Sequence, residues 1–357
     1  RHERTPSGPC LPYRFMTERF DPEHALGDGI FGLPYTAEEA EVVLIPVPWE
    51  PTVSYGAGTA NGPEAILRAS PQLDLLDRET GTPYERGIHM LPIPAHIREL
   101  SDAARADAKM VIEAGGAGDD PGLLDAATRV NVASEQMNAW VYDTAKAWLA
   151  KGRLVGVVGG DHSSPFGLIR AVSERHPDVG VLHIDAHADL REAYEGFTWS
   201  HASIMFNVFR RLPGVSHIVQ VGIRDYSASE AEVIERNKVR FTTHFDADLK
   251  AKQQDGTTWG TLAKQMVAGL PKDVYVSFDI DGLDPVLCPH TGTPVPGGLQ
   301  FAEATRLLRE VAAAGKRIVG FDLVEVAPAK DPANEWDGNV GARMLYKLCG
   351  FGLKTRK

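Results

Sequence analysis

Short runs rich in Val, Ile and Leu alternate along this chain with longer stretches in which apolar residues recur every three or four positions. The short runs predict buried strands and the longer stretches predict helices, an alternation typical of a parallel sheet covered by helices on both faces. The predicted strands are 41–48, 153–160, 179–185, 216–223, 273–280 and 317–326, with 239–245 as a weaker candidate. The predicted helices are 129–150, 165–175, 201–211, 228–237, 258–269, 302–314 and 338–349.

This alternation runs without an internal repeat and predicts one α/β domain over residues 41–350. Residues 1–40 are predicted to be an N-terminal extension, of which the Pro-rich residues 1–15 are expected to be non-native or trimmed sequence. Residues 351–357 are predicted to be a C-terminal tail. The Gly- and Asp-rich segment 113–122 is predicted to be a loop inserted before the long helix, and not a domain boundary.

The composition is that of an ordinary globular protein and excludes several classes of function. The 357 residues carry a net charge of −11, which argues against a nucleic-acid-binding protein with a basic face. No apolar run approaches the roughly 20 residues that span a bilayer, and the N-terminus lacks the apolar core of a signal peptide, so a cytoplasmic location is expected. Cys10, Cys288 and Cys349 are too dispersed for a disulfide framework or a zinc–thiolate site.

Polar residues cluster where four of the predicted strands end. In open α/β sheets ligands bind outside the carboxyl ends of the strands, so these residues are the first candidates for a functional site. The segments are "GGDHSS", "DAHADL", "FDIDGLDP" and "VEVAP". Their candidate residues are Asp161, His162, Asp185, His187, Asp189, Asp279, Asp281, Asp284 and Glu325.

The density of carboxylates predicts a metal site. A single Asp after a strand usually caps a helix, but Asp185, His187 and Asp189 share one face of an extended segment, and Asp279 and Asp281 repeat the pattern. Four buried carboxylates repel one another unless cations compensate them, and two divalent ions match their charge. Oxygen-rich ligation with one imidazole for each ion suits manganese, nickel, cobalt or iron. Two ions close together can activate a bridging water, which predicts a hydrolase.

The four motifs "GGDHS", "DAHADL", "SFDIDGLDP" and "EVAP" closely resemble those of the ureohydrolase family of arginases and agmatinases, over roughly residues 40–350. The resemblance implies a three-layer α/β/α sandwich with a mainly parallel sheet, assembled as a trimer or homohexamer. It also implies that a metal-bridging hydroxide attacks the carbon of a guanidino group and releases urea. The implied ligands of one ion are His162, Asp185, Asp189 and Asp279, and those of the other are Asp185, His187, Asp279 and Asp281.

Glu325 and His201 are the predicted catalytic and substrate-binding residues. Once metal ions neutralise the aspartates, Glu325 is the remaining anion at this sheet edge, and a carboxylate can accept a guanidinium at two points. The resemblance gives His201 the role of passing a proton to the leaving amine, which suits a group that titrates near neutral pH. The plainer alternatives are a helix-capping Glu325 and a histidine at a helix start.

Other polar residues are expected to have supporting or purely structural roles. Asp161 and Asp284 are expected to orient metal ligands through hydrogen bonds. The remaining histidines near predicted strands are expected to be structural: His183, His217, His244 and His290.

Two segments depart from the usual family pattern and bear on the substrate. Residues 52–66, "TVSYGAGTANGPEAI", lack the arginines of the agmatinase-type "SYRxGxRxGP", and "EGFTWSHAS" replaces the arginase-type "SGNxH". Trp199 is predicted to bind substrate. Together with Trp336 it would make the pocket shorter and more aromatic, and the alternative for both residues is ordinary packing. With segment 19–40, these features resemble the branch of nickel-dependent guanidine hydrolases.

The resulting hypothesis is an enzyme with two Ni²⁺ or Mn²⁺ ions in each subunit that converts free guanidine to urea and ammonia. The alternatives within the family are an agmatinase, a guanidinobutyrase or a biguanide hydrolase. A single-zinc deacetylase is disfavoured because it would not need His162, Asp189 and Asp281 as a second ligand set. A non-catalytic metal-binding subunit of a mixed oligomer is the alternative from a different class, although none of the six ligands is missing.

Overall fold

The computed structural model describes residue 22 and residues 27–356, so the predictions for residues 1–15 and Cys10, and most of segment 19–26, lie outside the described residues. The described chain forms one sheet of eight parallel strands in the order β2-β1-β3-β8-β7-β4-β5-β6. The strands are β1 Val42–Val47, β2 Ile88–Met90, β3 Leu154–Gly159, β4 Val179–Ile184, β5 Val215–Ile223, β6 Phe241–Phe245, β7 Asp273–Asp279 and β8 Arg317–Val324. All seven predicted strands are present, including the weaker candidate, and β2 is an addition.

Ten α-helices of the described chain cover the two faces of the sheet. They are α1 Gly62–Ala69, α2 Ala95–Glu113, α3 Pro121–Ala150, α4 Phe166–Arg175, α5 Ile204–Arg211, α6 Ala228–Arg236, α7 Asp246–Gln254, α8 Trp259–Ala268, α9 Phe301–Ala313 and α10 Trp336–Lys354. Alternate residues of the strands face opposite sides, so Leu44 belongs to one apolar core and Ile45 to another. Helices α1 and α7–α10 pack in the first core, and α2–α6 pack in the second. The α/β/α sandwich is therefore confirmed.

Local sequence explains where several of these helices begin. Helix α3 starts earlier than predicted, because the Asp120 side chain accepts hydrogen bonds from the backbone N–H groups of Gly122 and Leu123. The predicted helix at 201–211 opens with a short 3₁₀ turn, His201–Ser203, before α5 begins. The Gly/Asp-rich segment 113–122 connects α2 to α3, as predicted for a loop.

The strand order brings the candidate segments to one place. Strands β3, β8, β7 and β4 are consecutive in the sheet, and their last residues lie side by side, with Val158 opposite Leu323 and Ile184 opposite Phe278. Because all the strands are parallel, the residues that follow them emerge at the same edge. Within the described residues, no helix combines the length and the apolar character needed to cross a bilayer.

Candidate metal centre and active site

His162 stands at the centre of a cluster of buried carboxylates. Its Nδ1 lies 2.9 Å from Asp185 Oδ2, 3.1 Å from Asp189 Oδ2 and 3.2 Å from Asp279 Oδ2. All four side chains are buried. Two ligand atoms bound at right angles to an ion, each at about 2.1 Å, are about 3 Å apart, so these separations suit donors that share one divalent ion.

The hydrogen bonds of His162 leave its Nδ1 in need of a proton or a cation. Its Nε2 is 2.9 Å from Ser277 Oγ, and this hydroxyl donates its proton to Asp322 Oδ1 at 3.1 Å. His162 must therefore carry a proton on Nε2. In the neutral ring, Nδ1 then turns a bare lone pair toward three carboxylate oxygens, and it has no hydrogen-bond partner.

Either a proton or a metal ion can supply that charge. Burial alone would lower the pKa of His162, but the three carboxylates raise it well above its usual value. A proton on Nδ1 can bond well to only one of three oxygens in different directions, whereas an ion can bind all of them. The residues therefore fit a metal ion.

His187 forms a second group on the other side of Asp185. Its Nδ1 lies 3.0 Å from Asp281 Oδ2 and 3.5 Å from Asp185 Oδ1. Asp185 thus faces His162 with one oxygen and His187 with the other, as a bridging ligand would. Backbone N–H groups hold the outer oxygens: Ala186 donates to Asp281 Oδ1 at 3.0 Å, and Asp281 donates to Asp279 Oδ1 at 2.8 Å. The structure therefore brings all six predicted ligands together.

The carboxylates resist ionising together, which also points to a bound cation. Burial and the charges of Asp281 and Asp185 raise the pKa of Asp279 well above its usual value. Burial and the charge of Asp185 raise the pKa of Asp189 to about 7. A divalent cation among these groups would remove both effects, since it favours the charged forms.

His183 has a role that the sequence analysis missed. The Gln220 amide donates to the Ala188 carbonyl at 2.8 Å and to His183 Nδ1 at 3.1 Å, while its oxygen accepts from Thr243 Oγ1 at 2.9 Å. His183 therefore carries its proton on Nε2, which donates to Asp185 Oδ2 at 2.7 Å. This histidine positions a predicted bridging ligand instead of binding metal itself. Its place two residues before Asp185 on β4 was the only sequence signal.

Glu325 lies beside the cluster with one oxygen free. Its Oε1 accepts the backbone N–H of His162 at 2.8 Å, and its Oε2 is buried without a hydrogen-bond partner. Burial and the charge of Asp161 raise the pKa of Glu325 well above its usual value. A cationic N–H donor would satisfy the free oxygen and favour the ionised carboxylate. A Cβ on Gly292 would lie only 3.0 Å from Glu325 Oε2, so glycine at that position leaves space beside this oxygen.

His201 lines an open cavity of about 170 Å³, and the predicted ligands His187 and Asp189 line the same cavity. The backbone N–H of His201 donates to Thr52 Oγ1 at 3.3 Å, and its ring Nδ1 lies 3.2 Å from the same hydroxyl. Burial and the positive charges of His187 and other neighbours lower the pKa of His201 to about 3. The imidazole is therefore neutral near pH 7 and able to accept a proton.

Trp199, which was predicted to contact substrate, does not line the cavity that His201 lines. Its ring packs edge-on against Phe166, with centroids 4.8 Å apart, and the Arg211 guanidinium lies 4.7 Å from its centroid. These three residues line a different cavity between α4 and α5. Trp336 is 48% exposed and donates to the Val286 carbonyl, so it also lies outside the cavity. The cavity that His201 lines has Tyr194 and Tyr226 as its aromatic walls.

The expected orienting aspartates serve local turns instead of metal ligands. Asp161 Oδ1 accepts from the backbone N–H and hydroxyl of Ser163. Asp284 accepts from the backbone N–H of Val286 and the side chain of Gln300. Neither carboxylate bonds to any of the six predicted ligands in the described chain.

The other histidines have different surroundings. His217 contacts Thr242 Oγ1 at 2.9 Å, and His290 contacts Asp337 Oδ2 at 2.8 Å, as expected of structural residues. His244 has a buried Nε2 without a hydrogen-bond partner.

A parallel α/β sandwich with an Asp/His cluster at the carboxyl edge of its sheet defines the class of protein as a candidate metallohydrolase. Comparisons with known proteins agree. The arginase family model matches residues 40–350. N(1)-aminopropylagmatine ureohydrolase of Thermus thermophilus is 33% identical over 293 residues, which cover 82% of this chain and 84% of that protein. Agmatinase of Bacillus subtilis is 31% identical over 314 residues, covering 88% and 93% of the two chains.

Solved structures show the same fold. The agmatine ureohydrolase of Thermoplasma volcanium superposes with a TM-score of 0.69 at 24% identity, covering 92% of this chain and 94% of that chain. Arginase from Medicago truncatula superposes with a TM-score of 0.62 at 25% identity, covering 88% of each chain. The chain belongs to the arginase family. It is therefore a hydrolase of C–N bonds in linear amidines, from a family that depends on two divalent metal ions.

Proposed function

We propose that this protein is a binuclear metal-dependent ureohydrolase whose preferred substrate is free guanidine, which it converts to urea and ammonia. The observation that carries the proposal is the pairing of two unsatisfied buried groups at one sheet edge. Within the described chain, neither Nδ1 of His162 nor Oε2 of Glu325 has a hydrogen-bond partner. A metal ion would satisfy the first atom and a guanidinium would satisfy the second.

Six side chains would hold the two ions. The ligands of one ion would be His162, Asp185, Asp189 and Asp279, and those of the other would be Asp185, His187, Asp279 and Asp281. When bound, the ions would provide Lewis acidity and lower the pKa of a water molecule towards neutrality. Oxygen-rich ligation with one imidazole for each ion suits Mn²⁺ and Ni²⁺ alike, and we propose one of these two.

Glu325 would bind and orient the guanidinium. Its free Oε2 can accept one N–H, and its Oε1 has a second lone pair beside the one that accepts the His162 amide. An ionised carboxylate holds a planar cation by charge and by direction, which turns the carbon toward the metal ligands. Glutamine in this position would keep one acceptor and lose the charge.

His201 would handle the proton on the path to the leaving nitrogen. Its ring is neutral near pH 7, and the Thr52 hydroxyl lies within hydrogen-bond reach of Nδ1, which leaves Nε2 for exchange with the cavity. Proton transfer by a positioned histidine typically contributes about 10²–10⁴-fold to a rate. The imidazole would accept a proton released at the reaction centre and donate it to the departing amine.

The size of the cavity favours a compact substrate. Its volume of about 170 Å³ is below the roughly 300–1,000 Å³ typical of sites for drug-sized ligands. Tyr194 and Tyr226 supply aromatic walls, and Arg191 at the wall is paired with Glu230, Nε to Oε2 at 3.7 Å. From segment 52–66 only Ser54 reaches this cavity.

One observation favours a longer substrate as a second candidate. Asp225 lines the same cavity, its side chain is 68% exposed, and its Oδ2 lies 3.9 Å from Nε2 of His187. An ammonium at the far end of agmatine or of a related polyamine would find a counter-charge there. The related proteins from Thermus thermophilus and Bacillus subtilis carry names that indicate such substrates. Guanidinobutyrate has an anionic end, which would instead meet Arg191.

The test is urea release by protein that has been stripped with a chelator and reloaded with Mn²⁺ or Ni²⁺. Guanidine, agmatine, 4-guanidinobutyrate, arginine and a biguanide would be compared by kcat/KM. Asp225→Asn is the matched variant, because it should weaken agmatine turnover and leave guanidine turnover nearly unchanged. Higher kcat/KM for agmatine than for guanidine would replace the first candidate with the second. Metal binding without urea from any of the five compounds would favour a non-catalytic subunit.

Assembly as a trimer or hexamer stays a prediction from the resemblance, and a cytoplasmic location stays a prediction from the sequence. Size-exclusion chromatography with light scattering measures the first, and fractionation of the source cells measures the second.

A further inference from the structure

A second polar cavity lies at the opposite edge of the sheet, where β3, β4 and β8 begin. Its volume is about 220 Å³. Arg153 and Arg317 stand at the start of β3 and β8, Arg175 and His176 end α4, and Arg356 follows α10. No Asp or Glu is among its described lining residues. Five basic side chains thus share a small space in a chain whose net charge is −11.

Among the residues that the structure describes, only two of these five side chains have a carboxylate partner. Arg317 bonds to Asp273 through Nε at 2.7 Å and Nη2 at 2.6 Å, and His176 Nδ1 lies 2.9 Å from the same carboxylate. One negative charge therefore serves both groups. Arg317 is neutralised in a two-point pair, and Asp273 has no further charge to offer the cavity.

The other three guanidinium groups have no carboxylate partner within residues 27–356. Arg153 donates to the Glu38 carbonyl and its Nε is buried without a partner. Arg356 donates to the Gly152 carbonyl. In the described part of the chain, Arg175 makes no hydrogen bond or ion pair.

The electrostatic effect of this grouping appears in Arg356. Burial comes first among the causes that lower its pKa, and the charges of Arg86, Arg175 and Arg153 act in the same direction. Glu41 opposes them, but it is itself held by Arg86, with Nε 2.9 Å from Glu41 Oε1. The cavity therefore keeps an excess of about three positive charges.

We propose that this cavity binds a small anion with phosphate chemistry, either inorganic phosphate or the phosphate group of a metabolite. Guanidinium groups present several N–H donors in a planar fork that matches the oxygens of a phosphate, and three of them lack an anionic partner here. A tetrahedral phosphate dianion can accept hydrogen bonds from more guanidinium groups at a time than a single carboxylate can, because it has more oxygens and a larger charge. The metal ligands lie at the other edge of the sheet, so this site is separate from the proposed hydrolytic centre.

Two variants test the arginines with little risk to the fold. Arg175→Gln removes an exposed guanidinium that has no other partner, and Arg356→Gln keeps an amide donor for the Gly152 carbonyl. Arg210→Gln is the matched control, because Arg210 is an exposed arginine in α5 that does not line this cavity.

The measurement is isothermal titration of the metal-loaded protein with inorganic phosphate and, separately, with AMP, both against chloride at equal ionic strength. We expect saturable binding that becomes about tenfold weaker with each arginine removed and is unchanged in Arg210→Gln. Tighter binding of AMP than of phosphate identifies a metabolite as the source, and the reverse identifies inorganic phosphate. Binding of equal strength in wild type and the Arg175→Gln/Arg356→Gln variant would place the anion elsewhere, for example on the metal ions. That result, or no saturable binding above chloride, overturns the proposal.

Discussion

Replacing Ser277 with alanine tests the hydrogen-bond chain behind His162. In the described chain, Ser277 Oγ is the partner of His162 Nε2, whereas Asp322 also receives the backbone N–H of Phe278 at 3.1 Å. The Ser277→Ala change removes one oxygen from the middle of β7, which stays paired with β4 and β8. The fold should persist, and His162 should lose the group that fixes its proton on Nε2.

The expected loss of metal affinity follows from this geometry. Removing a partner that orients a metal-binding histidine typically weakens metal binding by about 10–100-fold. That factor corresponds to about 1.4–2.8 kcal/mol, since each tenfold change is about 1.4 kcal/mol. A buried N–H donor left without an acceptor costs about 1–3 kcal/mol, which is the same size. In Ser277→Ala this cost would destabilise the metal-bound form, because a metal ion on Nδ1 of His162 would keep the proton on Nε2.

A competition titration against a chromophoric chelator measures the affinity of the wild type and the variant for Mn²⁺ and Ni²⁺. Ser134→Ala is the matched control, because its hydroxyl is also buried but donates to the Val130 carbonyl within α3. Circular-dichroism melting of the metal-free proteins checks that both variants fold. Unchanged affinity in Ser277→Ala, or an equal loss in Ser134→Ala, would refute the assigned tautomer and the predicted role of His162 as a ligand.

Four further changes test the other assignments. Asp185→Asn should remove the negative charge of the carboxylate that faces both His162 and His187, and it should abolish stable binding of both ions. Metal analysis measures this loss, and two retained ions would contradict a bridging role for Asp185. Glu325→Gln should retain both ions but raise KM for guanidine and lower kcat, because the guanidinium loses its counter-charge. His201→Asn should lower kcat by about 10²-fold or more with unchanged metal content, and a normal kcat would exclude proton transfer by this residue. Burial, followed by the charge of Lys252, lowers the pKa of His244 to about 4. Between about pH 6.5 and pH 4, His244 therefore binds a proton in the unfolded chain but not in the folded chain. Wild-type stability should therefore fall as the pH drops through that window, and it should fall less steeply in His244→Phe, as measured by urea unfolding.

The parts of the fold that were predicted have strong local patterns, and several of the missed parts have weak ones. Strand β2 has only three residues, too few to show a period. Helix α2 buries mostly small side chains, such as Ser101, Ala104 and Ala108, so its inward face is only weakly apolar in the sequence. Helix α7 buries only Asp246 and Leu249. The parallel sheet depends on long β-branched runs, which are easier to detect.

The site was predictable where its residues follow one another closely along strand ends, and not where distant segments meet. Asp185, His187 and Asp189 could be grouped because alternate residues share a face. The proton on His183 depends on Gln220, which is far away in sequence and adjacent only because β5 pairs with β4. The position of a side chain relative to a cavity, as for Trp199, depends on packing that no local pattern records.

Backbone conformation gives an independent reason to regard Asp189 and Glu325 as functional. Both adopt left-handed φ angles, 53° and 63°, which cost most residues roughly 1–2 kcal/mol and glycine almost nothing. Hydrogen bonds hold each backbone in place. The N–H groups of Met205 and Phe206 in α5 donate to the Asp189 carbonyl. The N–H of Glu325 donates to the Gly160 carbonyl, and the Glu325 carbonyl accepts from the Thr291 hydroxyl. Glycine would adopt these backbone conformations at lower cost. It would, however, remove the Asp189 carboxylate that lies 3.1 Å from His162 Nδ1 and the Glu325 carboxylate that accepts the His162 N–H. The strain at these two positions is compatible with the proposed roles of Asp189 as a metal ligand and of Glu325 as a guanidinium receptor.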